Sequence, residues 1–546
     1  MNKNRIPTAA ALAASAVLLS AGAALAGVPV LKPLPHPAGQ PGGVLNSQVA
    51  VAAVATSSTA SPAPSTWTPL TNQPTFLADG ASNPILLTDG SVLIQDTGFP
   101  DWWKLTPDQS GSYVNGTWTQ VASLQSGYSP LYHSSAVLTD GRLIIEGGEY
   151  NCDPTTGNCD AVWQTQGSIY DPVANTWTPV APPAGWTTIG DAQSIVLPDG
   201  TYMQANCCTK QSALLDPKTL TWTPNGTGKF DPNDEEGWVL IPGGQVLVVD
   251  AYVPLGGFQY QPDGTNSELY DPRTDSWSSA GSTIVQLWDS AAACGGESAA
   301  SFELGPGALR PDGTVFYAGA NGCGPANTAI YDTHSRHWSA GPVFPGNLGI
   351  ADGPAAVEPN GKVLMMASPL VFNSPATFFE WDGNNLTEVA GPPNAVNDVS
   401  YFGNMIVLPT GQILLTDFSN DVEIFTPSTG VAPGSAPVVT HAPAAVVQGG
   451  TYQISGVRLN GMTQGAYYGD DVQAATNFPL VRITNIQTGH VSYSRTHDHS
   501  SMAVASDKPA STSFDVPAGQ ELGYSKLEVV ANGVASSPVF VLVTTK

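Results

Sequence analysis

A hairpin unit recurs seven times along this chain, and that recurrence limits the fold more than any single motif does. Its clearest copy is LYHSSAVLTDGRLIIEGG, from Leu131 to Gly148: a small and apolar strand, a Thr-Asp-Gly turn, a second apolar strand and a Gly-Gly break. Asp-Gly between two β-rich runs is a strong hairpin signal, because glycine reaches the backbone conformation such turns need. The other copies are LLTDGSVLI, VLPDGTYMQ, LIPGGQVLV, LRPDGTVFY, VEPNGKVLM and VLPTGQILL. Their turn glycines fall at 90, 141, 200, 244, 313, 361 and 411, so the spacings run from 44 to 69 residues.

Most hairpins are followed by a second strand pair marked by an aromatic-Asp turn and a tryptophan. IYDPVANTW ends at Trp177, LLDPKTLTW at Trp222, LYDPRTDSW at Trp277 and IYDTHSRHW at Trp338, while FFEWDGNNL in the sixth unit lacks the final Trp. Four strands per unit at a period near fifty is the signature of a kelch-type propeller. The first segment, STWTPL at Trp67, is a Trp strand with no hairpin before it, and the last repeat lacks its own Trp strand. Joining the two completes a seventh blade and removes an open edge. The expected fold is all-β: a seven-bladed kelch-type β-propeller over residues 66–432, then an immunoglobulin-like β-sandwich over 433–546.

The N-terminus sets the compartment. Lys3 and Arg5 precede an apolar run from Ala9 to Leu25, and Ala24-Leu25-Ala26 has the form of a cleavage site, so residues 1–26 read as a signal peptide. Residues 27–65, rich in Pro, Ala, Val and Ser, read as a disordered leader. The mature chain has no other stretch long enough to span a membrane and is expected to be monomeric, in the periplasm or outside the cell. A net charge of -26 with only 18 basic residues excludes nucleic acid as a partner. Export permits disulfides, and the topology puts all six cysteines on the face opposite the Asp-Gly turns. The expected bridges are Cys152–Cys159 and Cys294–Cys323, leaving Cys207–Cys208 as a vicinal pair; sequence alone leaves the connectivity open.

The same face carries the candidate site. The residue eight positions before the third turn residue of each blade lines the channel mouth: Ala81, Tyr132, Asp191, Glu235, Leu304, Asp352 and Phe402, with His133, Glu236, Glu303 and Tyr401 beside them. Carboxylates at these entry positions are unusual, since inner strands need small or apolar residues to pack. Converging acids repel and their pKa values rise unless a cation or substrate hydroxyls take up the charge. They mark either a metal or polyhydroxyl site, or a water-filled channel. In the last domain His497 and His499, two apart in SYSRTHDHSSM, are a short metal-ligand motif of low specificity.

Seven kelch blades, an export signal and a trailing sandwich with Arg495-Thr496-His497 resemble the galactose oxidase and glyoxal oxidase group of copper-radical enzymes, from Trp67 to Lys546. The resemblance implies copper held by Tyr132, by Tyr401 and by His497, the last delivered up the channel, with Tyr150 shielding the site. Two of the family's positions differ. Phe402 stands where a ligand His is expected, and Gly80-Ala81-Ser82 stands where the cross-linking Cys is expected.

Three readings follow. The first is an exported galactose-oxidase-like protein that engages a carbohydrate or polyol at an acidic mouth, its copper site degenerate or remodelled. If it is catalytic without copper, Glu235, Asp191 and Asp352 are the acid/base groups. The second is a copper-dependent carbohydrate alcohol or aldehyde oxidase using Tyr132, Tyr401 and His497. The third is a non-catalytic adhesion or matrix-interaction module.

Overall fold

The computed structural model describes residues 64–155, 158–207, 209–251, 254–256, 259–260, 264–289, 301–469 and 475–545. The expected signal peptide, nearly all of the expected leader, Cys208 and Cys294 lie outside the described residues. Every turn glycine of the repeat has a positive φ, from 78° at Gly90 to 91° at Gly200. At each one the glycine N–H closes the turn onto the carbonyl three residues earlier, as from Gly141 to Leu138 at 2.9 Å. An aspartate often braces the same turn, Asp140 Oδ1 accepting from the Arg142 N–H at 3.0 Å. The Asp-Gly pair thus specifies both the reversal and its hydrogen bonding.

Seven antiparallel sheets built on four strands result, and the sixth carries two more short strands, Leu348–Gly349 and Ala466–Tyr467. In the second blade the four strands are Ser134–Val137, Leu143–Glu146, Gly167–Asp171 and Thr176–Val180. The ring closes as the repeat count requires: Thr66–Pro69 pairs with Glu423–Thr426, Trp67 opposite Phe425. Inner strands are buried throughout, and their Val, Ile, Leu and Ala side chains form the cores between blades.

The outer tryptophans pin blade to blade. The Trp118, Trp177 and Trp222 indole N–H groups donate to the carbonyls of Asn72, Ala122 and Ala181, each just beyond the outer strand of the preceding blade, at 2.7 to 2.8 Å. Trp67 does the same to Ala390 of the sixth blade at 2.7 Å. A large apolar ring with one donor suits this place: it fills the gap between blades and spends its N–H on a carbonyl the outer strand leaves open.

Residues from Val438 onward form a β-sandwich, its strands linked in one path through Val491–His497. It docks on the Asp-Gly turn face. The Thr496, His499 and Met502 N–H groups donate to Thr88, Thr139 and Pro198 carbonyls at 3.1, 2.9 and 3.0 Å. From the sandwich the chain then enters the channel. Ala466–Tyr467 adds to the sixth blade as an extra inner strand beside Ala355–Val357, and Gln464 Oε1 accepts from the Leu240 N–H at 2.7 Å. Among the described residues no helix is long and apolar enough to cross a membrane.

Candidate functional site

Three ring positions share one backbone feature. Tyr132, Glu235 and Asp352 have φ of 49°, 58° and 48°, the left-handed region that bulky side chains rarely adopt. Each sits where its blade's chain enters the inner strand. Strain of this kind costs about 1–3 kcal/mol per residue and persists only where the surroundings impose it, commonly at functional sites.

On one side of the mouth the aromatic rings gather. Tyr132 lies 6.5 Å from Tyr401, 6.0 Å from Tyr150 and 5.9 Å from Phe418, centroid to centroid. Phe402 and Phe372 complete the wall, 4.7 and 5.4 Å from Tyr401. Burial and the neighbouring Glu149 push the Tyr401 hydroxyl up to about 12, so it stays a neutral phenol. Tyr150 is raised too, by burial and then by Glu149, with Asp191 adding to the effect. Asp191 therefore belongs to this side of the ring.

Across the mouth Glu235, Glu303 and Asp352 bring carboxylate oxygens within 4.8 Å of one another. The segment threaded through the channel lies between the two groups. Tyr468 donates its hydroxyl to the Tyr401 carbonyl at 2.8 Å. A Cβ on Gly469 would stand 2.3 Å from Asp352 Oδ1, and one on Gly237 would stand 2.2 Å from the Gly469 carbonyl. Both positions are glycine because backbone passes there at contact distance.

Beneath Glu235 the structure holds a cluster that sequence reasoning missed. Lys229 is buried with Asp231, Glu236, Asp250 and Glu268 around it; Asp231 is the nearest, and Glu268, Glu236 and Asp250 lie at 2.8, 3.2 and 3.8 Å. Burial alone would lower the lysine's pKa, but the four acids outweigh it and hold the ammonium charged. Burial, with Asp231 adding to it, pushes the Glu236 carboxyl up. Glu235, Glu236 and Gly237 thus do three successive jobs: mouth acid, anchor in the lysine cluster, and contact for the threaded strand. In the sequence KFDPNDEEG the run of acids is the local sign of this, and no local pattern marks Lys229 for burial.

His497 does not join the tyrosines. Its strand stays in the sandwich, where His497 pairs opposite Ser513, and its ring meets Asp498 at 2.8 Å and Asp515 at 3.3 Å. The neighbouring Thr496 rests on the turn face, at the far end of the channel from the mouth. The expectation that His497 is delivered up the channel is therefore corrected: Gln464 to Gly469 fills it instead. His499 does not join them either. Asp498 turns left-handed with φ 53°, and the His499 ring is buried against Thr512, its pKa pushed down to about 3 mainly by burial. His133 points away from the mouth, its Nε2 at 3.0 Å from Gln95 Oε1.

Copper(II) favours nitrogen donors. Tyr132 and Tyr401 offer phenol oxygens, and among the described residues no histidine is brought to them, so the set does not fit an imidazole-ligated copper site. The rim holds one described disulfide, Cys152–Cys159. Cys207 and Cys323 are also disulfide-bonded, and the partners expected for them lie outside the described residues.

No protein-family profile matches the chain. A kelch-like protein of Aspergillus terreus is 23% identical over 164 residues, 28% of this chain and 32% of that protein, so the match spans about a third of the relative's length. Among solved structures, a fungal alcohol oxidase of the AA5 family, in complex with copper, is 16% identical, covering 88% of this chain and 99% of that one with a TM-score of 0.47. A virginiamycin B lyase from Staphylococcus aureus is 8% identical, over 66% and 99%, with a TM-score of 0.44. At these TM-scores the structural likenesses carry neither fold nor chemistry across. Seven four-stranded blades closed into a ring, with kelch-type turns and tryptophan pins, give this chain the fold of a kelch-type β-propeller.

Proposed function

We propose that the protein acts outside the cytoplasm and binds a carbohydrate or related polyol at the channel mouth. One observation carries the reading: Glu235, Glu303 and Asp352 converge within 4.8 Å on the same mouth as the Tyr132–Tyr401 aromatic wall. Carboxylates accept hydrogen bonds from vicinal hydroxyls, and aromatic faces pack on the C–H face of a sugar ring. Asp191 and Tyr401 supply further polar groups at the rim. If the bound sugar is also transformed, Glu235, Asp191 and Asp352 are the groups placed for proton transfer. The Cys152–Cys159 bridge suits an oxidising compartment. Screening the mature protein on a glycan array tests the reading, with Glu235→Gln in parallel. Binding that the variant loses supports it, and binding indifferent to the change counts against it.

A copper-dependent alcohol or aldehyde oxidase is the second reading, and the meeting of Tyr132 and Tyr401 at 6.5 Å favours it. It needs nitrogen donors other than His497. Metal analysis of the purified protein with a peroxide-coupled screen of sugars and aldehydes separates the two. Bound copper with peroxide release supports the oxidase, and neither one eliminates it.

A further inference from the structure

Two loops of the seventh blade bring Tyr401, Phe402 and Phe418 to the aromatic wall. One is the turn after Ile413–Thr416, where Phe418 has φ 61° and packs 5.9 Å from Tyr132 and 5.4 Å from Phe402. This turn is stitched to the first blade: the Phe418 N–H donates to the Ala81 carbonyl at 3.0 Å, and the Ala81 N–H to Ser419 at 2.8 Å. The other loop leads from the short 3-10 turn Pro393–Val396 through Asp398 to Ser400–Phe402, and so carries Tyr401.

A buried polar triad joins them. Asn394 Nδ2 donates to Asp398 Oδ1 at 3.1 Å and to Asp417 Oδ2 at 2.7 Å. Asp398 is 2% exposed and Asp417 is 4% exposed. One amide nitrogen thus bridges two buried carboxyls on different loops. Two carboxylates have no donor to offer one another, so Asn394 is what ties them together. The charged groups facing the pair are acids: Asp421, which also accepts from Gln73 Nε2 at 3.0 Å, and Glu423. Burial first, and Asp417 second, push the Asp398 carboxyl up to about 9, so the proton stays in place at neutral pH.

We propose that protonated Asp398, Asn394 and Asp417 form a latch that positions Tyr401 and Phe418 at the channel mouth. Loss of the Asp398 proton leaves two buried carboxylates bridged by a single amide, and their repulsion separates the loops. The latch goes beyond the polyol reading and does not depend on it; only its consequence for ligand binding does.

Hydrogen exchange of the full mature chain, corrected for the intrinsic pH dependence of amide exchange, tests it. The reporters are the Ser400, Phe402 and Phe418 amides, bonded to Ser368 Oγ, Val399 O and Ala81 O. In the wild type their protection should fall at least about tenfold between pH 7 and pH 10, while the Val481 and Val529 amides of the sandwich hold theirs. In Asp398→Asn, whose amide stands in for the protonated acid, protection of the three reporters should stay level. Should that variant fail to fold, Asp417→Asn removes the same repulsion and carries the same expectation. Flat wild-type protection, or an equal fall in wild type and variant, would overturn the latch. Either result leaves the polyol reading standing, since no ligand enters the experiment.

Discussion

At the scale of single residues, what matters is which side chains the fold forces together. Glu235 and Asp352 stand out in the sequence because acids at the entry of apolar inner strands need a reason to be there. Their left-handed backbone, shared with Tyr132, has no such sign, since it depends on how each blade is entered. Lys229 was invisible for a different reason: its burial comes from the strap between the third and fourth blades, which no local pattern records. Removing it would leave four buried carboxyls without their cation. Breaking such a cluster costs about 3–5 kcal/mol. Lys229→Met should therefore lower the urea-unfolding free energy at pH 7 by about that amount, and a loss below about 1 kcal/mol would contradict the assignment. His497 shows the opposite error. Thr-His matched a family segment locally, but a strand's partner is set by its whole register, and this one stays beside Ser513–Asp515 in the sandwich.

At the scale of elements, the hairpins and the ring closure were legible because turn chemistry and Trp spacing repeat with little variation. The threaded segment was not, since NGMTQGAYYG has no periodicity and its place depends on the propeller around it. Gly237 tests that placement. Its Cβ would lie 2.2 Å from the Gly469 carbonyl and 3.3 Å from that of Tyr468, so Gly237→Ala should push the threaded strand off the fourth blade. Faster proteolysis or amide exchange across residues 464–469, with the sandwich core unchanged, is the expected result; wild-type protection there would argue against the contact. The tryptophan pins give a milder case. Trp177→Phe keeps a ring against Tyr170 but gives up the bond to the Ala122 carbonyl, and should cost about 1 kcal/mol in chemical unfolding.

At the scale of the whole molecule, the acids set the response to pH. Asp79, Glu423, Glu358 and Asp398 are raised to about 6, 7, 8 and 9, each first by burial and then by a neighbouring carboxylate. A carboxyl whose pKa is higher folded than unfolded binds its proton more tightly in the folded chain. Its stabilisation is full below the ordinary carboxylate range and is lost as pH rises through the folded value. The half-buried turn acids Asp332 and Asp271, held low by hydrogen bonds, act the other way and lose their contribution only in strong acid. The urea midpoint should therefore fall steadily from pH 5 to pH 9, and a flat or rising midpoint would contradict this balance. The functional reading rests on a different set of acids, Glu235, Glu303 and Asp352 at the channel mouth. The most direct test is calorimetric titration of the wild type and of Glu235→Gln with the strongest glycan-array ligand. The account predicts measurable binding by the wild type and at least about a tenfold loss, roughly 1.4 kcal/mol, in the variant; equal affinity in the two would contradict an acidic polyol site at the channel mouth.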